Sequence, residues 1–405
     1  MVSKGSYIGA IEIGTSKVAV LIGEVLGDRR LNIVGLGTSS SRGVIKGDVA
    51  DFKAASDCTH AAILAAEQRA GVKVDAVYLA QSGSHLAGFV HEAGIGVSSA
   101  DNMVSRDDME QVMALAKGKA LPKDRTIIHH IRRPFRLDGR IVGDPEHLEG
   151  QRLEVGYWTV HGNAARIADH IHIVNGFTLR VEDLILSSLA SAAIVATDEE
   201  KKNGVLVIDI GRGTTDWALY HDGYCYLTGA VPVGGDHITN DLSLGLRLTA
   251  VQADGVKLRY GRANAAPGAS KNEKVWLNGN FAIGDKMLAR AAIDQVVSAR
   301  VDEILQVVKK QAGELIRPEV LRSGIILTGG TSRLPGIDEA AARVFGISSR
   351  VGEMPAWVRD DLRDPAYATV LGLLYYGLHC RQSRAAQPGR ASTWIRKLGK
   401  YLVPA

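Results

Sequence analysis

The chain has only three cysteines in 405 residues, Cys58, Cys225 and Cys380, widely scattered and odd in number. That leaves no disulfide framework and points to a reducing cytoplasm. No stretch approaches the roughly 20 uncharged apolar residues that span a bilayer. No secretory signal is expected, because Glu12 and Lys17 interrupt the first apolar stretch. Charge excess is also missing: 48 Lys and Arg against 44 Asp and Glu leave +4, which gives no argument for a nucleic-acid partner. The 12 histidines, including His129-His130 and the His161, His170, His172 group, show no metal-ligand spacing. What is present is 46% hydrophobic residues at a mean hydropathy of +0.01. Such a chain is globular with ample core, and its length suggests two or three domains.

One stretch stands out, Gly204 to Tyr220, GVLVIDIGRGTTDWALY. Val205 to Ile208 reads as a buried strand that delivers Asp209 to its end. Gly211-Arg212-Gly213-Thr214-Thr215 turns, and Trp217 to Tyr220 returns as the next strand. Glycines let backbone turn tightly and approach a ligand closely. Their amides and the Thr hydroxyls then face phosphate oxygens. Asp209 would hold the water shell of a Mg²⁺, an ion bound through one or two carboxylates plus phosphates. A plain hairpin with a roomy turn would use the same residues.

The N-terminal stretch Tyr7 to Val25 repeats this grammar. A strand ends in Glu12, Gly14-Thr15-Ser16-Lys17 turns, and Val18 to Ile22 returns. Two such hairpins facing each other would clamp a nucleotide's phosphates, with Lys17 as a point charge. A third piece is Ser323 to Leu334, SGIILTGGTSRL, a short apolar strand followed by Gly329-Gly330 and a helix from Gly336 to Phe345. Residues without side chains there would let an adenine ring or ribose lie against backbone.

Taken together, the stretches EIGTSKVAVLIGEV, SRGVIKGDVAD, VYLAQSGSH, DIGRGTTD, VPVGGDHITNDLS, GIILTGGTSRLPGI and DPAYATVLGLLYYG resemble the actin, heat-shock chaperone and sugar-kinase superfamily. Within it the chain resembles the FtsA family of bacterial cell-division proteins over essentially its whole length. The resemblance implies an α/β, actin-like (ribonuclease H-like) two-lobed ATPase fold that binds ATP with Mg²⁺. It implies nucleotide contacts at Gly14, Thr15, Ser16, Lys17, Gly211, Arg212, Gly213, Thr214, Thr215, Gly234, Gly235, Asp254, Lys257, Gly329, Gly330 and Ser332. Glu12 and Asp209 would hold the Mg²⁺ through water. Two details depart from the family. Arg212 stands where a third glycine is usual, and Asp254 stands where Glu is usual, three residues before Lys257. Asp254 and Lys257 also read simply as a surface ion pair on one helical face. No catalytic base is evident in SSLASAA; Asp183 is a weak candidate.

The same resemblance divides the chain. Residues 1–85 form the first part of subdomain 1A, 86–165 an inserted subdomain 1C, and 166–236 the end of 1A and start of 2A. Residues 237–315 form 2B, 316–379 the rest of 2A and the return to 1A, and 380–391 a linker. Periodicity adds helices at Phe52 to Ala70, Arg106 to Lys119, Asn163 to Asn175, Thr239 to Leu246 and Met287 to Ala312. Arg132 and Arg133 read as a solvated, charged strand edge.

Residues 392–405 read as an amphipathic membrane-targeting helix. Trp394, Ile395, Leu398, Tyr401 and Leu402 cover one side, and Arg396, Lys397 and Lys400 the other. That pattern suits a helix lying in an anionic membrane surface. The function implied is a cell-division protein that binds ATP, polymerises as an actin-like filament and anchors the FtsZ ring, with at most slow ATPase activity. Its partners would be the FtsZ C-terminal tail through 2B, further copies of itself, anionic lipid, and late divisome proteins through 1C. Its place would be the cytoplasmic face of the inner membrane at the division site. A soluble actin-like scaffold of the PilM pilus-assembly type is the alternative.

Overall fold

A computed structural model describes residues 6–26, 30–264, 272–277 and 285–386. The expected tail helix, with Trp394, Ile395, Lys397, Leu398, Lys400, Tyr401 and Leu402, lies outside the described residues.

Two sheets of matching plan carry the molecule. In the first lobe, Ser6–Ile13 pairs antiparallel with Lys17–Leu26 and parallel with Ala76–Gln81. In the second, Val205–Ile210 pairs antiparallel with Thr215–His221 and parallel with Ile325–Thr328. These strands are apolar on both faces, as suits a sheet covered on both sides. In each lobe the hairpin closes with the same turn bond. Gly14 N–H donates to the Lys17 carbonyl at 3.0 Å, and Gly211 N–H to the Thr214 carbonyl at 2.9 Å. The strand order therefore brings both acid-tipped turns to the same side of the molecule.

Helices Ser187–Val195 and Ala368–Ala386 pack together and share a core with both sheets. Their crossing is close: a Cβ on Gly372 would lie 1.8 Å from the Ala190 carbonyl oxygen. Only glycine fits there.

The helix Phe52–Ala70 matches its expected bounds, capped by the Asp51 side chain on Ala54 N–H at 3.0 Å. Other boundaries move. The helix expected from Thr239 begins at Gly235, directly on the second glycine turn. The helix expected from Met287 begins at Arg290, because Lys286–Ala289 pairs with Lys274–Leu277 and buries Val275 and Leu288. The last helix continues to Ala386, so the stretch read as linker is helical over its first part.

Residues 87–163 build a separate four-stranded sheet with the helix Arg106–Ala116 on one face. Val112, Phe135, Leu137, Leu153, Val155 and Tyr157 form its core. Here the reading of Arg132 and Arg133 is corrected. The outer neighbour of their strand, Arg125–Leu137, pairs only with Phe135–Leu137, so the two arginines do stand at an edge, but it is covered by rings and not solvated. The Arg132 guanidinium stands 4.6 Å over the Phe135 ring and 5.8 Å over Tyr224. Arg133 Nη2 donates to the Tyr226 carbonyl at 3.2 Å. Both arginines sit in the joint between this sheet and the second lobe. A run of basic residues cannot reveal what packs across it, and planar guanidinium groups stack on rings readily.

Candidate functional site

The two acid-tipped turns face one cleft of about 540 Å³. Glu12 ends the first hairpin strand, and its Oε2 is buried with no hydrogen-bond partner. Burial pushes its carboxyl up to about 7, against the pull of Lys17 and with the added push of Asp209. Asp209 is raised by burial too, although the Ser191 and Thr369 hydroxyls donate to it and Lys17 draws it down.

A third carboxylate joins them. Strand register sets Asp216 directly opposite Asp209. Asp216 accepts from Ser82 Oγ at 2.7 Å and from Thr214 Oγ1 at 3.0 Å. Burial drives it to about 7, with Asp209 and Glu12 adding to the push. Three buried acids around one cleft, one oxygen orphaned, are electrostatically unsatisfied without a cation. Among the described residues, no cluster of three such side chains converges to ligate an ion directly.

The glycines leave space where side chains would collide. A Cβ on Gly213 would lie 2.4 Å from Thr15 Oγ1, so the two turns approach each other across the cleft. Gly329 has φ +84°, and a Cβ there would lie 2.2 Å from Asp209 Oδ1. Gly14, Thr15, Ser16 and Lys17 line one wall, and Gly211, Arg212, Gly213 and Thr214 the other. Lys17 Nζ donates to the Ala366 carbonyl and lies 4.9 Å over the Tyr367 ring. Gly235, Gly329 and Gly330 complete the lining from the remaining loops.

Three expected contacts do not face the cleft; they shape its loops. Thr215 is fully buried and donates to the Val233 carbonyl at 2.8 Å. Ser332 donates to Gly329 at 2.7 Å. Gly234 lets the second glycine turn pack on the first, where a Cβ would lie 2.6 Å from the Gly211 carbonyl. Arg212 turns along the rim: its Nε donates to Asp236 at 2.6 Å.

Asp254 and Lys257 both line the cleft. They are not a surface pair: Lys257 is only 9% exposed and donates to Asp254 and Thr239 at 2.7 Å each, and to the Gly235 carbonyl at 3.3 Å. Burial alone would raise the Asp254 carboxyl, but the hydrogen bond and charge of Lys257 carry it below its ordinary value. Asp183 lies away from the cleft and accepts from Leu184 N–H at 3.0 Å.

Asp216, Ser82, Ser191, Thr331 and Thr369 were not singled out by sequence. Asp216 had a signal: a tight hairpin pairs the first strand's terminal acid with the second strand's opening residues. The hydroxyls come from separate segments with no shared local pattern. Thr331 Oγ1, for example, donates to the Gly211 carbonyl at 2.9 Å from 120 residues away.

Comparison with known proteins follows the same outline. The family described as "Cell division protein FtsA" matches residues 206–372, and "SHS2 domain inserted in FTSA" matches residues 83–161. The chain is 36% identical to the cell division protein FtsA of Pseudomonas aeruginosa over 387 residues, covering 93% of this chain and 90% of the relative. It is 32% identical to that of Escherichia coli K12, covering 97% and 96%. Among solved structures, the PilM-PilN type IV pilus biogenesis complex superposes with TM-score 0.63 at 16% identity, covering 92% of this chain and 98% of the other. MreB5 of Spiroplasma citri bound to ADP gives 0.54 at 13% identity, covering 95% and 99%. These likenesses show the actin-like fold.

Proposed function

The chain belongs to the FtsA family of cell division proteins, and on that premise we propose that it binds Mg²⁺–ATP between its lobes, assembles into filaments and tethers the FtsZ ring to the membrane. The carrying observation is the trio Glu12, Asp209 and Asp216 set around one cleft with Lys17 and two glycine turns. Lys17 and the turn amides would hold phosphate oxygens, and Glu12 and Asp209 would hold the cation's waters. The bound cation would supply charge neutralisation for the phosphates. Lys257, fixed by Asp254 and Thr239, would meet the nucleoside beside Gly329-Gly330. Asp183 is too far from this cleft to serve as a base; Asp216 is the acid placed in it, and its two hydroxyl donors suit slow turnover used as a switch.

The domain divisions follow the family reading: 1A, the inserted 1C over 86–165, 2A, and 2B over 237–315, with FtsZ's tail and late divisome proteins meeting 2B and 1C. A PilM-type scaffold is the weaker reading, since that likeness extends to fold at 16% identity and no further.

Two measurements test this. Titration with a fluorescent ATP analogue should show Mg²⁺-dependent binding that Asp209→Ala weakens at least tenfold; unchanged affinity in that variant counts against the site. Co-sedimentation with anionic liposomes should pellet the full chain but not a chain truncated after Ala386. If neither pellets, the membrane tether is wrong and the soluble scaffold gains.

A further inference from the structure

The inserted sheet has its helix on one face only. On the other, the register sets Gly94 opposite Glu154 and Gly156 opposite Glu92. The two glycines let the glutamate stems lie down on the sheet: a Cβ on Gly94 would lie 3.0 Å from Glu154 Cγ, and one on Gly156 3.0 Å from Glu92 Cγ. A cavity of about 170 Å³ opens there, walled by Arg133, Arg136, Arg152, Ile141 and, from the second lobe, Tyr226.

The charges do not balance. Glu154 is taken by Arg152 at 2.8 Å, and Glu92 lies 3.8 Å from Arg133. Arg136 has no ion-pair partner among the described residues. Arg133 Nε is buried without a hydrogen-bond partner. Guanidinium N–H groups left unpaired next to a cavity carry a desolvation cost that an anion would offset. Burial lowers the Arg133 pKa, against the pull of Glu92.

We propose that this trench binds a short segment of a partner protein by an acidic side chain, paired with Arg136 and Arg133, while a neighbouring apolar side chain packs on Ile141 and Tyr226. The occupant is a carboxylate and not a phosphate group, because Glu92 and Glu154 line the same cavity and repel a dianion more strongly than a single charge. The proposal deepens the partner reading for the inserted domain and needs neither nucleotide nor membrane, so the two readings fail separately.

Random dodecapeptides displayed on phage would be panned on the full chain without nucleotide. Parallel pannings would use Arg136→Glu, an exposed position, and Gly156→Val, which pushes the flexible Glu92 side chain into the cavity without changing charge. Circular dichroism and urea unfolding serve as the folding control for both. Expected is enrichment of peptides with Asp or Glu beside an apolar residue, with recovery at least tenfold lower on both variants. A selected peptide, resynthesised with Asn or Gln for its acid, should lose at least tenfold in affinity by fluorescence anisotropy. Millimolar inorganic phosphate should leave that peptide bound. The proposal is overturned by the absence of acidic enrichment, by equal recovery on Arg136→Glu, or by displacement with inorganic phosphate alone.

Discussion

The Ser82 hydroxyl donates to the Asp216 carboxylate at 2.7 Å, a bond that crosses from the first lobe to the second beside the cleft. Together with the Ser82 Oγ–Thr214 Oγ1 bond at 3.2 Å, it ties the root of the inserted sheet to the Gly211–Thr215 turn. Ser82→Ala should cost about 1–2 kcal/mol at pH 8, as expected for a buried hydrogen bond to a charged group. In a Ser82→Ala, Asp216→Asn double-mutant cycle read by urea unfolding, the two changes should not add. Additivity would show that the lobes are not joined here.

The raised acids give the nucleotide-free chain a distinctive pH dependence. Glu12 and Asp216 titrate near 7 when folded, against ordinary values of 4.5 and 3.8. Between those limits the folded state binds more protons than the unfolded state, so stability falls as pH rises, by up to about 1.4 kcal/mol per pH unit for each group. With respect to these two groups stability should be greatest below about pH 4 and decline continuously toward pH 7.5. Saturating Mg²⁺–ATP should flatten the decline. A melting curve unchanged by pH in the nucleotide-free chain would contradict the coupling.

Lys17 and Asp209 should separate by their metal dependence. Lys17→Ala removes a charge that would meet phosphate directly, and should weaken binding with or without Mg²⁺. Asp209→Ala acts through the cation's waters and should weaken binding about tenfold or more only when Mg²⁺ is present. Isothermal titration with and without a chelator distinguishes them.

Gly329→Ala should abolish nucleotide binding without unfolding the chain. The position has φ +84° and its new Cβ would press on Asp209 Oδ1. A loss of about 1–3 kcal/mol in stability is expected from the backbone conformation. Retained affinity would mean that the loop relaxes easily.

Arg212→Gly should change nucleotide affinity less than about threefold. Arg212 is committed to Asp236 on the rim, and both side chains are well exposed, 43% and 39%. Such surface pairs contribute about 0–1 kcal/mol.

The hairpins were legible in sequence because each writes its chemistry locally: an apolar strand, an acid at its tip, glycines, then hydroxyls. Periodicity fixed the helix Phe52–Ala70 to the residue. The short strand Lys286–Ala289 was hidden inside a helical pattern, since its partner strand lies upstream and gives no local cue. Ser82, Ser191 and Thr369 were invisible for a related reason: each reaches the acids from a segment with its own unremarkable pattern. Arg132 and Arg133 misled because charge suggests solvent until the rings of Phe135, Tyr224 and Tyr226 are placed around it.

The inserted sheet is spliced into the first lobe by its chain ends, yet Trp158 Nε1 donates to Thr228 Oγ1 of the second lobe at 3.0 Å, and Arg133 to Tyr226. It is thus fastened to both lobes, like a strut between them. Any rotation that opens the cleft must turn about these fastenings or break them. A load applied to the outer end of the sheet would therefore reach the cleft, and by reciprocity whatever closes the cleft would stiffen or slacken the sheet.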